Sequence, residues 1–259
     1  MTESAEKAIK LAETKDDNME SKLDKVGLLT AHNISHSYYR DEFNLFIVYG
    51  PLGIGKSSYA IKVMAQVLGS FDKVKDYIVF HPEDFVDRCF KMAERGQRDK
   101  AIIWDDAGLW LFALDFKNPF IQSIIKYLNV ARTNWGAFIL TTPTPSWIIY
   151  KLRSFPQCTT IKILKTNDDM GRRQRLRVAR AYRFWMMPDM KKTGVRTLYE
   201  DYFDAMLPDN VFHDWYQPLR ATYAREAAML ARKEMNKLAG KLSKDTAQLA
   251  EMAIKQYNI

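Results

Sequence analysis

Cysteine is scarce in this sequence, and its scarcity excludes several classes of protein. The 259 residues contain only two cysteines, Cys89 and Cys158. Neither lies at the short spacing from other cysteines or histidines that a structural zinc site requires, and two isolated cysteines do not indicate a disulfide framework. We therefore expect no structural metal and a reducing environment, the cytoplasm inside a host cell.

Long apolar runs are also missing. No stretch approaches the roughly 18 apolar residues of a membrane-spanning helix. Residues 1–24 carry charges of both signs and lack the apolar centre of a signal peptide. These absences predict a globular protein without membrane association, preceded by a flexible N-terminal arm over residues 1–25.

The net charge of +8 is concentrated in one segment. Residues 151–196 contain thirteen Lys and Arg against three Asp, so the rest of the chain is slightly acidic. This distribution indicates a local surface for an anionic partner rather than a uniformly basic protein.

The clearest motif is a glycine-rich loop with the sequence Gly50-Pro51-Leu52-Gly53-Ile54-Gly55-Lys56-Ser57. It follows an apolar run and precedes a helical pattern that Gly69 ends, which is the context of a phosphate-binding loop. Its glycines allow backbone amides to surround phosphate oxygens. We predict that the loop, with Ser58, binds ATP, that Lys56 contacts the β and γ phosphates, and that the Ser57 hydroxyl binds Mg²⁺. The alternative is a loop without a ligand.

Strand and helix patterns alternate along the first two thirds of the chain. Apolar runs that predict buried strands occupy residues 43–49, 77–80, 101–106 and 137–140, with helical periodicity between them. Such alternation predicts the α/β class, a mostly parallel five-stranded sheet with helices on both faces. We expect Gly136 to end the helix before the last of these strands.

The pattern then changes. Two extended runs at residues 160–165 and 173–185 flank a turn cluster and predict a basic β-hairpin. From residue 208 the periodicity is helical, with one helix expected to end at Gly240 and another to begin near Ser243. The predicted organisation lists the arm, an ATPase core at 26–166, a hairpin extension at 167–207 and a helical region at 208–259.

Polar residues end two of the predicted strands. Asp105 and Asp106 follow the third strand, where we expect Asp105 to orient Mg²⁺ and Asp106 to act as the general base for the attacking water. Thr141 and Thr142 end the fourth strand. If this strand lies between the loop strand and the acid strand, Thr141 would face the γ-phosphate. Simple capping of strand ends is the alternative for both pairs.

Two arginines end helices near the predicted site. Arg153 is the first candidate, and Arg132 the second, for an arginine that reaches the γ-phosphate of a neighbouring subunit in a homo-oligomer. The alternative is a solvated cation at a helix end, which the helix dipole also favours.

The second hairpin run alternates, and its odd positions carry Arg173, Arg175, Arg177 and Arg183. On a strand, alternate residues share a face and lie ~6.6 Å apart, close to the phosphate spacing along a nucleic-acid strand. We predict that these arginines face away from the core and bind DNA without reading its sequence. A solvated strand face, or one paired with acids of another subunit, is the alternative.

Three segments together resemble a known family. The glycine loop, residues 102–111 (Ile-Ile-Trp-Asp-Asp-Ala-Gly-Leu-Trp-Leu) and residues 141–145 (Thr-Thr-Pro-Thr-Pro) resemble the DnaA-like ATPases of crenarchaeal spindle-shaped viruses (fuselloviruses) and related plasmids. The later stretch 198–216 is also similar. The resemblance implies a P-loop NTPase of the AAA+/RecA-like (ASCE) group that serves replication of a mobile element.

These observations predict a Mg²⁺-dependent ATPase that acts on DNA in replication initiation or genome maintenance. A DNA translocation or packaging motor is the alternative with the same chemistry. A nucleotide or small-molecule kinase and an ATP-binding regulator with little hydrolysis are alternatives of different classes.

Overall fold

The computed structural model describes residues 27–166, 176–186 and 193–257. Its strands are β1 Asn44–Tyr49, β2 Ile78–Val79, β3 Asp99–Trp104, β4 Trp135–Thr142, β5 Cys158–Lys165, β6 Leu176–Met186 and β7 Thr193–Asp204. Its helices are α1 Leu29–Tyr39, α2 Lys56–Leu68, α3 Pro82–Glu94, α4 Pro119–Leu128, α5 Tyr150–Arg153, α6 Asp209–Val211 and α7 Gln217–Tyr257. The chain divides into two compact units, one up to Pro208 and one from Asp209.

All seven strands form one sheet in the order β2-β3-β4-β1-β5-β6-β7. The strands from β2 to β5 in this order are parallel, and β6 and β7 continue the sheet in antiparallel fashion. The α/β class and the mostly parallel sheet are confirmed. The five-strand count is wrong, because β6 pairs with the open edge of β5 and β7 pairs with β6, which makes the hairpin part of the sheet.

The central strands are buried along almost their whole length. All eight residues of β4 are buried, since β4 lies between β1 and β3. Helices α3, α4 and α5 contribute to a core around Phe85, Trp104 and Phe138. The rings of Phe85 and Trp104 stack with centroids 4.5 Å apart, and Phe138 meets Phe85 edge-on at 5.0 Å. This apolar packing fixes the strand ends that carry the candidate site.

Glycine gave one correct boundary and two wrong ones. Helix α2 ends at Gly69, whose φ of 73° lies in the left-handed region. Gly136 does not end a helix but lies within β4, where an added Cβ would stand 2.7 Å from the Lys100 carbonyl oxygen. Its role is close strand contact. Gly240 and Ser243 both lie within α7, a helix of 41 residues.

The second unit is helical. A π-helical segment, Phe212–Tyr216, connects α6 to α7. Among the residues that the structure describes, no helix is both long enough and apolar enough to cross a membrane.

Candidate nucleotide site

The glycine loop connects β1 to α2 in a conformation that ordinary residues adopt only with strain. Gly53 and Gly55 have φ values of 74° and 105°. At both positions a side chain would clash with its own backbone. The Gly50 N–H donates to the Pro143 carbonyl oxygen (3.2 Å), which ties the start of the loop to the segment after β4. The loop therefore holds a fixed shape beside the ends of two neighbouring strands.

The first residues of α2 point into the protein. Lys56 is only 7% exposed, and its Nζ donates to the Pro51 carbonyl oxygen (3.0 Å). A lysine this buried stays charged only with polar partners around it. Here the ammonium group lies across the loop, in position to neutralise an anion held by the loop amides.

A carboxylate and two hydroxyl groups converge next to the loop. Ser57 Oγ donates to Asp105 Oδ1 (2.8 Å), and Thr141 Oγ1 donates to the same oxygen (2.5 Å). All three side chains are buried, and Asp105 is fully so. The three residues come from α2 and from the ends of β3 and β4, so the parallel sheet brings together groups that lie 36 to 48 positions apart in sequence.

The second acid has an unusual backbone. Asp106 has a φ of 53°, a left-handed conformation that is uncommon outside glycine, and its N–H donates to Thr141 Oγ1 (2.8 Å). Thr141 thus bridges the two acids. Residues held in such conformations concentrate at functional sites, where the surrounding structure imposes them.

Gly108 lets the segment after the acids approach β4. A Cβ at this position would stand 2.3 Å from Thr142 Oγ1. The Thr142 hydroxyl is itself engaged, because it donates to the Thr144 carbonyl oxygen (3.0 Å). Both threonines at the end of β4 therefore help to position the acid segment.

The donor set fits Mg²⁺ and phosphate. A hydroxyl and a carboxylate oxygen 2.8 Å apart are the oxygen ligands that Mg²⁺ prefers, and it completes its shell with water and phosphate oxygens. Loop amides at the start of a helix, together with Lys56, are suited to phosphate. Within the described residues no group of three or more His, Cys, Asp or Glu side chains could hold a metal ion.

The two candidate trans arginines occupy different surroundings. Arg153 Nε donates to the Ile148 carbonyl oxygen (2.8 Å), and its guanidinium lies 5.7 Å from the Tyr150 ring centroid. Arg132 has an exposed side chain, while its carbonyl oxygen accepts from Arg98. A role of either residue in a neighbouring subunit stays a prediction.

The arginine row does not form an outward face where the structure describes it. Arg173 and Arg175 lie outside the described residues. Arg177 and Arg183 share a sheet face with Ala179 and Ala181, which are fully buried, so the prediction that these two arginines face away from the core is wrong.

The physical reason is the pairing of β6 with strands on both sides. Arg183 lies opposite Thr159 and donates to its Oγ1 (3.1 Å), while Arg177 reaches the glycine loop, where its Nε donates to the Ile54 carbonyl oxygen (3.2 Å). Arg180, on the other face, forms an ion pair with Glu200 (2.5 Å).

Asp201 on β7 is a structural residue that sequence analysis missed. It is 3% exposed, and its carboxylate accepts from the backbone N–H groups of Leu29 (2.7 Å) and Thr30 (3.2 Å) and from the Tyr59 hydroxyl (2.6 Å). It therefore caps the start of α1 and holds the loop helix α2. Burial and the nearby Asp201 raise the pKa of Tyr59 well above its usual value.

No signal in the sequence indicates this cap, because Asp201 lies 172 residues from the helix that it caps. It appears only within the stretch 198–216 that supports the family resemblance.

Comparison with known proteins gives viral relatives of unknown function. An uncharacterized protein, B-251, of Sulfolobus spindle-shape virus 1 is 30% identical over 146 residues, which is 52% of this chain and 57% of the relative. The uncharacterized protein ORF286 of Acidianus two-tailed virus is 30% identical over 129 residues, covering 49% of this chain and 45% of the relative. The chain thus spans about half the length of the curated relatives it matches.

The similarity to archaeal viral proteins is confirmed, whereas neither relative carries a DnaA-like name. No family model matches the chain. The N-terminal domain of zonular occludens toxin from Neisseria meningitidis is 16% identical, with a TM-score of 0.36, and the match covers 65% of this chain and 96% of that domain. A structural similarity this weak carries no argument.

Proposed function

We propose that this protein is a Mg²⁺-dependent ATPase of the P-loop class. The observation that carries the proposal is the convergence of Ser57, Asp105 and Thr141 on one carboxylate oxygen, beside a glycine loop that holds Lys56. The strand order supports it, because β4 lies between the loop strand β1 and the acid strand β3. This is the arrangement of ATPases with an inserted strand, the ASCE/AAA+ group.

The residues divide the work of hydrolysis between them. The loop from Gly50 to Ser58 binds the phosphates through its amides, and Lys56 neutralises the β and γ oxygens. Ser57 and Asp105 hold Mg²⁺, which supplies charge neutralisation on those oxygens. Asp106 takes a proton from the water that attacks the γ-phosphorus, and the bond from that phosphorus to the β–γ bridging oxygen breaks. Thr141 keeps both acids in place and faces the γ-phosphate.

We further propose that the ATPase acts on DNA, in replication initiation or maintenance of a viral genome, as a homo-oligomer. The viral relatives and the basic segment 151–196 support this role. Arg153 or Arg132 would then stabilise transition-state charge in the adjacent subunit.

The test is an assay of nucleotide binding and hydrolysis with and without DNA. We expect Lys56→Ala to weaken ATP affinity about a hundredfold, because a charge-assisted contact to two phosphates is lost. The control is Lys62→Ala, on the same helix, with ATP affinity unchanged. Equal affinity of Lys56→Ala and wild type would refute the site.

A screen of phosphate acceptors separates the reaction classes. Hydrolysis that DNA stimulates supports the DNA-dependent ATPase. Phosphate transfer to a nucleotide identifies a kinase instead, and tight ATP binding without turnover identifies a regulator.

A further inference from the structure

We propose that Arg177 is a positioning residue of the phosphate-binding loop. The inference rests on the proposed nucleotide site and adds to it a residue from the antiparallel hairpin. Its basis is one contact: Arg177 Nε donates to the carbonyl oxygen of Ile54 at 3.2 Å, across 123 positions of sequence.

The contacted carbonyl lies at the most consequential point of the loop. Ile54 stands between Gly53 and Gly55, whose left-handed φ values allow the loop several backbone conformations in the absence of other restraints. Ile54 itself is buried at 7% exposure, and its N–H donates to Pro51 at a long 3.3 Å. A cation fixed on its carbonyl oxygen removes much of the remaining freedom.

Peptide geometry transmits that restraint to an amide. The Ile54–Gly55 peptide is planar and trans, so its C=O and its N–H point in opposite directions. If Arg177 holds the Ile54 oxygen on the hairpin side, the Gly55 N–H points to the opposite side of the loop. Gly55 is the residue immediately before Lys56, and its amide belongs to the group that surrounds a phosphate in loops of this kind.

The hairpin holds Arg177 firmly enough for this role. Arg177 Nη1 also donates to the Leu176 carbonyl oxygen (2.9 Å), and β6 pairs with β5 on one side and β7 on the other. Gly55 packs on the same hairpin, since a Cβ there would stand 3.1 Å from Ala205 Cβ. The loop therefore rests on β7 and is oriented from β6.

Arg180 provides a matched control. It lies three residues along the same strand, has the same charge, and is engaged with Glu200 on the other face. Arg177→Ala and Arg180→Ala remove the same charge from the same strand, but only the first affects the Ile54 carbonyl.

The sequence allows a direct measurement without nucleotide. Ile54–Gly55 is the only Ile–Gly pair in the chain. Protein labelled with ¹³C-carbonyl isoleucine and ¹⁵N-glycine therefore gives a single correlation peak between the Ile54 carbonyl and the Gly55 amide. We expect this peak to move in Arg177→Ala and to stay in place in Arg180→Ala. A peak unchanged in Arg177→Ala would overturn the inference, whether or not the protein binds ATP.

Nucleotide binding gives the second measurement. Arg177→Ala should weaken affinity for ATP and ADP about tenfold, the loss expected for a hydrogen bond to a charged donor. It should raise KM more than it lowers kcat, and Arg180→Ala should stay within about twofold of wild type. Arg177→Lys, which is long enough to donate to Ile54, should recover most of the affinity.

The outcomes separate this inference from the proposed function. If wild type binds ATP and Lys56→Ala does not, but Arg177→Ala binds like Arg180→Ala, only the inference fails. If wild type binds no nucleotide, the proposed function fails and the labelled peak alone decides on Arg177. If Arg177→Ala does not fold, Arg177→Gln replaces it, since the shorter amide cannot reach Ile54 and the same peak shift and tenfold loss are expected.

Discussion

The carboxyl-terminal edge of the parallel strands and the β6–β7 hairpin arrange their charged groups in different ways. At the edge, groups from three elements share one atom, because Asp105 Oδ1 accepts from both Ser57 and Thr141. In the hairpin, each described arginine has a different partner: a loop carbonyl for Arg177, Glu200 for Arg180 and Thr159 for Arg183.

The difference separates a site from a support. Groups that share one oxygen can be rearranged together by a single ligand, which is what metal and phosphate binding require. Arginines that are held one by one stabilise a strand and orient its neighbours. In this molecule, the hairpin contacts the loop from outside while the chemistry lies at the edge.

The largest expected effect tests the edge by separating its two acids. Asp106→Asn should bind ATP and Mg²⁺ normally and lose hydrolysis at least about a hundredfold, because only the general base is removed. Asp105→Asn should weaken Mg²⁺-dependent ATP binding as well, because it removes a metal ligand. The measurements are ATP affinity with and without Mg²⁺ and the rate of phosphate release. Identical behaviour of the two variants would mean that the acids have no separate roles.

The next effect tests the hairpin as a support. Asp201→Ala should lower the free energy of unfolding by about 3 kcal/mol, because it leaves two backbone N–H groups of α1 and the Tyr59 hydroxyl without their buried acceptor. Denaturant unfolding followed by circular dichroism measures it.

Asp204→Ala is the control for Asp201. Asp204 lies on the same strand and accepts only from the nearby Met206 N–H (2.7 Å), in an exposed position, so we expect a loss below about 1 kcal/mol. Equal losses for the two variants would contradict a specific capping role of Asp201.

Sequence predicted the edge better than the hairpin for a physical reason. Parallel strands end at one edge, so polar residues after consecutive strands must lie near one another, and the loop, Asp105 and Thr141 could be placed in this way. The insertion of β4 between β1 and β3, stated only as a condition in the sequence analysis, is what the structure contains.

Alternation along β6 fixes which side chains share a face, but not which face is covered. That depends on β7, whose inward positions include the charged Asp201 and which therefore lacks the apolar pattern of a buried strand. Gly136 failed as a helix end for a related reason: its small size serves contact with Lys100 and Tyr38, which are distant in sequence.

The smallest effect tests whether any of the arginine row binds DNA. Only Arg173 and Arg175 retain the predicted outward role, since Arg177 and Arg183 lie on the inner face. Neutralising Arg173 and Arg175 together should weaken binding to unrelated DNA sequences similarly, and lower the log–log salt slope by up to about 2, because two phosphate contacts are lost.

Arg183→Ala is the comparison within the same strand. Its guanidinium lies half-buried against Thr159, so its removal should leave the salt slope unchanged, and basal ATP hydrolysis should survive in the Arg173/Arg175 variant because neither residue belongs to the edge. DNA affinity against salt concentration, for two unrelated duplexes, measures both. If the double variant keeps the wild-type slope and affinity, the hairpin does not bind DNA. If Arg183→Ala lowers the slope as much as the double variant, the inner face must open to bind DNA, and the division between a chemical edge and a supporting hairpin no longer holds.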